Sequence, residues 1–441
     1  MSVPTPVRRR TLLAGAVAAA GTASLTGCNL AKGGNASKAG GGVTLNIWGG
    51  VPNETGPDEL CQAFMDEHPD ITVTYTRYVN DDEGNIKLDS SLTGGTPIDL
   101  YFSYSPQRLF QRAAAGVAVE LTEKIAAEDD FAQFTVDAEP LGNFANNGKQ
   151  YAIPASRAPQ YVYINKTMLD DAGIKLRADW TVDEFVEVAR ELTRPKVFGT
   201  LTAPLIARPS IGPDYLYADG GERSNLDDPR FAEEIGLALS LQKEKIAMDR
   251  ETIIAEQLQT FSQNPFIAGR IAMLIQSGHI TRSIKDTDEY PHDFPTACMP
   301  IPSPHANQKG WNTGQIGDLI SINPKSQHQD EAWEFAKFWI RNAGTYMVKG
   351  GRLPSLQGDA DEDQILTDML GDEELFDMDS WRSAVFDPKE KLPVDTIFTA
   401  GTEIDTLKEK LTDQVLLGDI TVDKWVKSAR RQSDAAIEKA S

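Results

Sequence analysis

The sequence predicts an α/β fold arranged in two domains, and three observations predict it. Strand-like and helix-like segments alternate from Val43 onward. The same alternation returns in the middle of the chain. The globular part, about 400 residues, exceeds what one ordinary hydrophobic core organises, so two domains are the default. Strand–helix–strand alternation reads as a largely parallel sheet flanked by helices.

"VTLNIWGG" (43–50) alternates, is rich in branched residues and breaks at a glycine pair, which describes a strand feeding a loop. Gly56-Pro57 then opens a helix, because proline suits the first helical position. "ITVTYTRY" (71–78) and "PIDLYFSY" (97–104) are further strands, and "QRLFQRAAAG" carries a helical pattern. "YVYIN" (161–165) is a strand. In "DWTVDEFVEVARELT", Thr181 and Glu184 have the spacing of a capping box, bracketed by Trp180 and Phe185 at the staple positions. "RIAMLI" (270–275), "TACMPI" (296–301) and "GDLISIN" (317–323) read as strands. "DEAWEFAKFWI" (330–340) reads as a helix with Ala332, Phe335, Ala336 and Trp339 on one side, and the C-terminal quarter is helical. No internal repeat recurs at a fixed period.

Ahead of the globular part, "RRRTLLAGAVAAAGTASLTGC" (8–28) joins a basic start to a short apolar middle and small residues. A helix that spans a bilayer needs about 20 predominantly apolar residues, and this run is too interrupted. It reads as a secretory signal over 1–27, with Arg9 and Arg10 like those of the twin-arginine type. Leu25-Thr26-Gly27-Cys28 resembles the bacterial lipobox, in which the cysteine is lipidated, so Cys28 is expected to carry a membrane anchor. "NLAKGGNASKAGGG" then makes 28–42 a flexible leash with a reach of roughly 20 Å.

The formal charge is −22. That balance argues against nucleic acid as a partner, since phosphates demand a basic face. With Cys28 lipidated, Cys61 and Cys298 remain, free to form one bridge or to stay as buried thiols. Export of a protein already folded in the reducing cytoplasm favours the thiols. Nucleophile-elbow, zinc-protease, P-loop and dinucleotide fingerprints are absent, and the five histidines lack metal-ligand spacing. "DADED" (359–363) lacks the glycine and closing glutamate of a calcium loop. The expectation is a non-enzyme without metal or cofactor.

Four segments together resemble the extracellular solute-binding proteins of ABC transporters, in the family that includes the maltose-binding protein. They are "GGTPIDLYFSYSPQRLFQRAAAGVAVELT" (94–122), "NGKQYAIPASRAPQYVYINKTMLDDAGI" with the Trp180 helix (147–193), "FIAGRIAMLIQSGHI" (266–280), and the run from Met299 to Ile340 with "GRLPS" (351–355). The resemblance implies two lobes, each a mostly parallel sheet flanked by helices, with a ligand cleft between them. It places chain crossings near Ile153, Ala297 and Asn342. The first lobe then holds 43–153 and 298–342, the second 154–297 and 343–441, and Cys61 and Cys298 share a lobe.

On that architecture, loops at strand ends supply the ligand contacts. The candidates are Trp48 and Asn53 with the glycine pair between, Ser103 and Tyr104, Ser156 and Arg157, Gln276 and His279, Trp311, Asn312 and Gln315, and Arg352. Trp48 has a core role as its alternative, and Arg157 an ion pair that closes the lobes. Tyr215 and Tyr217 line the second lobe or lie on its surface. His279 stands where many sugar-binding relatives carry a stacking tryptophan, a departure that Trp311 could offset.

The implied function is a monomeric receptor, lipid-anchored outside the cytoplasm, that delivers a mono- or oligosaccharide to a membrane permease by hinge closure. A polyamine or another non-sugar solute is the alternative within that class. A secreted glycan hydrolase and a ligand-free interaction lipoprotein are alternatives outside it.

Overall fold

The computed structural model describes residues 42–134, 145–146, 148–306, 310–356, 361–371, 374–386 and 391–440. The expected export signal, Cys28, the expected leash as far as Gly41 and residues 359–360 of the acidic run lie outside the described residues.

The strands in chain order are β1 (Val43–Gly49), β2 (Ile71–Arg77), β3 (Leu100–Ser103), β4 (Ala145–Asn146), β5 (Lys149–Gln150), β6 (Ile153–Ala158), β7 (Gln160–Asn165), β8 (Phe198–Thr200), β9 (Tyr217–Ala218), β10 (Arg223–Ser224), β11 (Ile271–Ser277), β12 (Thr296–Pro300), β13 (Gln315–Ile322) and β14 (Leu353–Pro354). Six of them form one sheet in the order β14-β6-β13-β3-β1-β2, and four form another in the order β12-β7-β11-β8. These sheets are the centres of two lobes.

Both sheets are mixed, which corrects the expectation of mostly parallel ones. β1 runs parallel to β2 and β3, and β11 parallel to β8. β13 runs antiparallel to β3 and β6, and β7 antiparallel to β11 and β12. Parallel neighbours require a crossover within their own lobe, whereas β6 and β13 adjoin the passages to the other lobe and run against their neighbours.

Those passages lie at Pro159, between β6 and β7; between β12 and β13; and over 348–354, where Val348 and Leu353 are buried in the second lobe's core although β14 pairs with β6 of the first. All three come later in the chain than Ile153, Ala297 and Asn342, because those residues sit in β6, in β12 and in the helix Gln329–Tyr346, each of which continues past them. Cys298 therefore belongs to β12 of the second lobe, while Cys61 lies in the helix Pro57–Glu67 of the first. Both cysteines are free and buried. Burial, with the neighbouring Asp58 charge, pushes the Cys61 thiol up to about 12.

Local chemistry explains the main helices. Pro57 opens its helix behind Gly56, whose φ of 131° few other residues adopt. Thr181 Oγ1 accepts from Glu184 N at 3.3 Å, Glu184 Oε2 accepts from Thr181 N at 2.7 Å, and Trp180 and Phe185 meet with ring centroids 5.6 Å apart. The helix Gln329–Tyr346 lays Phe335, Ala336 and Trp339 on the six-stranded sheet, with Trp339 4.8 Å from the Phe102 ring. In the second lobe, the helices Gly401–Leu416 and Val422–Ala440 pack with Pro229–Lys243 around Phe231, Val415 and Trp425.

Candidate functional site

Residues 391–400 return from the second lobe as a strap. Leu392 and Val394 are buried in the core of the first lobe, while Ile397 and Ala400 pack against the helical core of the second. Asp395 fixes the strap's middle. Arg208 Nη1 and Nη2 donate to its two carboxylate oxygens at 2.6 and 2.8 Å, and Asp214 N donates to Oδ1 at 2.6 Å. Asp214 in turn accepts from the amides of Thr396 and Ile397 at 2.7 and 2.9 Å. Such a planar fork combines charge with geometry.

A cavity of about 440 Å³ opens between this strap, the first two passages and both lobes. The first lobe contributes Ser105, Pro106, Gln107, Gln315 and Ile316; the second contributes Leu205, Arg208, Asp214, Tyr215, Tyr217 and Ser277. Gln160 and Thr313 come from the passages, and Pro393, Ile397 and Phe398 from the strap. Its wall thus mixes side-chain amides and hydroxyls with aromatic and aliphatic surface. That composition suits a solute with hydroxyl groups on an apolar frame.

Ser105 caps the helix Pro106–Ala114 by accepting from Arg108 N at 3.2 Å, which sets Gln107 on the first turn. Gln107 Nε2 donates across to Thr402 Oγ1 of the second lobe at 3.0 Å. Thr313 Oγ1 donates to Gln160 Oε1 at 2.6 Å, and Tyr217 OH donates to the Thr399 carbonyl at 3.0 Å. Tyr215 lies between two cations: Arg208 Cζ is 4.7 Å from its ring centre, and Lys408 Nζ donates to its hydroxyl at 2.8 Å. Burial raises the Asp405 carboxyl above its ordinary range against the pull of Lys408. Gly314 admits no side chain, because the Ala158 carbonyl and Pro159 occupy the space a Cβ would need.

Of the residues the sequence singled out, Gln315, Tyr215 and Tyr217 reach the wall. Gln315 Nε2 also donates to the Tyr104 carbonyl at 3.4 Å. Asn312 stands one layer back and binds Gln160. Trp311 lies against Gly212 and donates its amide to the Pro209 carbonyl at 2.8 Å. Gln276 and His279 flank Ser277: Gln276 Oε1 accepts from its amide at 2.9 Å, and His279 Nδ1 lies 2.7 Å from its Oγ.

The remaining candidates sit away from the cavity wall. Trp48 packs with the cluster of Tyr78, Leu88 and Tyr101, with Lys87 Nζ 5.8 Å from its ring centre. Ser103 is buried and accepts from Arg112 Nη1 at 2.8 Å. Asn53 donates to Asp58 at 2.9 Å, and the Tyr104 hydroxyl accepts from Gly50 N at 2.5 Å. Ser156 is buried on β6, where the neighbouring Arg157 Nε donates to the Pro354 carbonyl at 3.0 Å. Arg352 Nε donates to Asp318 Oδ2 at 2.9 Å.

Sequence reasoning missed Gln107, Gln160, Arg208 and Asp395. The Ser105-Pro106 helix opening could have pointed to Gln107. Arg208 and Asp395, 187 positions apart, carry no local signal. Among the described residues no group of three or more His, Cys, Asp or Glu side chains is placed to hold a metal ion.

The sequence profile described as bacterial extracellular solute-binding protein matches residues 51–346, more than half of the chain. The chain belongs to that family. Several solved structures share this solute-binding protein's two-lobe fold. A sugar transporter from Rhizobium etli, in an open conformation, superposes with a TM-score of 0.73 at 21% identity, covering 89% of this chain and 99% of its own. An ABC substrate-binding protein from Listeria monocytogenes in complex with cycloalternan gives 0.69 at 21% identity, covering 90% and 99%. The sugar-binding protein MalE from Xanthomonas citri gives 0.70 at 18% identity, covering 90% and 98%. No helix among the described residues of the solute-binding protein is long and apolar enough to cross a membrane.

Proposed function

We propose that the cavity between the lobes binds a saccharide, and that closure of the lobes over it presents the solute to the permease of an ABC importer. The observation that carries this reading is the composition of the wall, where the amides of Gln107, Gln160 and Gln315 face the same space as Tyr215 and Phe398. Amides donate and accept toward hydroxyls, and rings cover the apolar faces of a sugar. Two of the structures sharing this fold are described as a sugar transporter and a sugar-binding protein, which supports the reading.

On this reading the protein binds its solute without transforming it and works as a monomer outside the cytoplasm, tethered by lipid on Cys28. The test is thermal unfolding of the full chain, in a detergent without a sugar head group, against sugars, polyols, polyamines and amino acids. A ligand at a hundred times its Kd adds about 2.7 kcal/mol of stability. A shift with saccharides that Gln160→Ala abolishes supports the reading; a shift with polyamines alone, or with nothing in the panel, overturns it.

A further inference from the structure

Beside the cavity lies a group of basic side chains, three arginines and a histidine, that its wall does not neutralise. Ser277 lines the cavity and contacts His279 Nδ1 at 2.7 Å. One turn on, Arg282 Nε donates to the His279 carbonyl at 3.2 Å. Gly351 is pressed against the same turn: a Cβ there would lie 2.8 Å from the Gly278 carbonyl oxygen and 3.3 Å from His279 Cα. Arg352 is therefore the next neighbour. Arg77 ends β2 opposite Gly49 on the first lobe.

These four groups come from both lobes and from the segment that joins them. Their charges feel one another. Burial lowers the Arg282 guanidinium below its ordinary range, with Arg352 and then Arg77 adding to the effect. Burial also lowers His279, followed by Arg282 and Arg352. Among the described residues, the carboxylate joined to the group is Asp318, and it is taken by Arg352. Among the described residues no carboxylate lies within ion-pair distance of Arg77, His279 or Arg282. In a chain of net charge −22, where most arginines find acids, Arg77 and Arg282 stand solvent-exposed without one, and His279, which its lowered pKa keeps uncharged near neutral pH, adds a hydrogen-bonding ring, so the group presents positive charge for an anion to meet.

We propose that this cationic rim seats an anionic group of the solute, so that the ligand is an acidic saccharide, one bearing a carboxylate or a phosphate. The inference rests on the reading of the cavity as a saccharide site. Guanidinium groups pair with either anion through two parallel hydrogen bonds. A rim drawn from both lobes meets the anion from both sides when they close.

The experiment is calorimetric titration of the full chain with uronic-acid disaccharides, their neutral counterparts, hexose phosphates and inorganic phosphate. An acidic saccharide is expected to bind roughly tenfold or more tightly than its neutral match, as a hydrogen-bonded charge pair implies. Raised salt and the variants Arg282→Gln and Arg77→Gln each reduce that advantage, while Arg282→Lys keeps part of it. Uronates and phosphates answer separately which anion is held. Neutral sugars that bind as well as acidic ones overturn this inference and leave the saccharide reading standing. An acidic preference that survives in both glutamine variants, shown to be folded by thermal unfolding, also overturns it. Absence of binding to every saccharide overturns both.

Discussion

Asn312 grips the backbone of Gln160 with both ends of its side-chain amide. Its Oδ1 accepts from Gln160 N at 2.8 Å, and its Nδ2 donates to the Gln160 carbonyl at 3.0 Å. The same Oδ1 accepts from Gly314 N at 2.7 Å. One buried side chain thus ties together the first two passages between the lobes. Asn312→Ala leaves three backbone groups without these partners and should cost about 3 kcal/mol. Urea unfolding reads the loss; an unchanged midpoint would show that the passages hold without the clamp.

The strap depends on the Arg208–Asp395 fork, whose side chains are 11% and 28% exposed. Removing one partner strands the other's charge, so Arg208→Gln should cost about 3 kcal/mol. Arg208→Lys recovers little, since an ammonium cannot make both bonds. Calorimetric unfolding of the two variants separates charge from geometry, and full recovery by lysine would reject the fork as the fastening.

Gly351 has φ of +76°, and a Cβ on it would meet the Gly278 carbonyl at 2.8 Å. Gly173 has φ of +67° and open space around it. Gly173→Ala should cost about 1 kcal/mol, the conformational penalty alone. Gly351→Ala should cost clearly more, because the close approach to Gly278 adds to the same penalty. Equal shifts in melting temperature would mean that the contact yields freely.

Glu234 accepts from the amides of Ile206 and Ala207 at 2.7 and 2.9 Å, yet burial raises its carboxyl above the ordinary 4.5. The folded protein therefore holds this proton more tightly than the unfolded chain. Stability from this group is complete below pH 4.5 and falls as pH rises through the elevated folded value. Glu234→Gln should flatten that part of the stability–pH curve, measured by denaturant unfolding from about pH 4 to about pH 7. A curve of unchanged slope would exclude Glu234 as its source.

Cys61 and Cys298 should resist iodoacetamide in the native protein and react once it is unfolded. Both are buried, and burial raises both thiols well above the ordinary range. Mass spectrometry of the alkylated chain decides. Rapid modification of Cys61 in the native state would mean that the helix Pro57–Glu67 opens readily.

Local chemistry made much of the fold legible. The Thr181–Glu184 box, the Gly56-Pro57 start and the apolar face of the helix Gln329–Tyr346 act through residues at most a few turns apart. The passages were harder to place. β6 and β14 are short, and their strand character comes from pairing with β13 and with each other rather than from an alternating pattern. For the same reason Trp48 and Ser103 could be placed near a strand end while their partners stayed hidden. The partners of Ser103 and Trp48, Arg112 and Lys87, lie on other elements.

The sequence by itself determined the α/β class, the order of the strands and helices with strong local patterns, and the family. These follow from periodicity, caps and motifs that neighbouring residues write together. Only the tertiary structure decided which side chains share the cavity. Gln107, Gln160, Arg208 and Asp395 meet there because two sheets and a returning strap converge. Contact between residues so far apart is set by how lobes pack, and no local pattern records it.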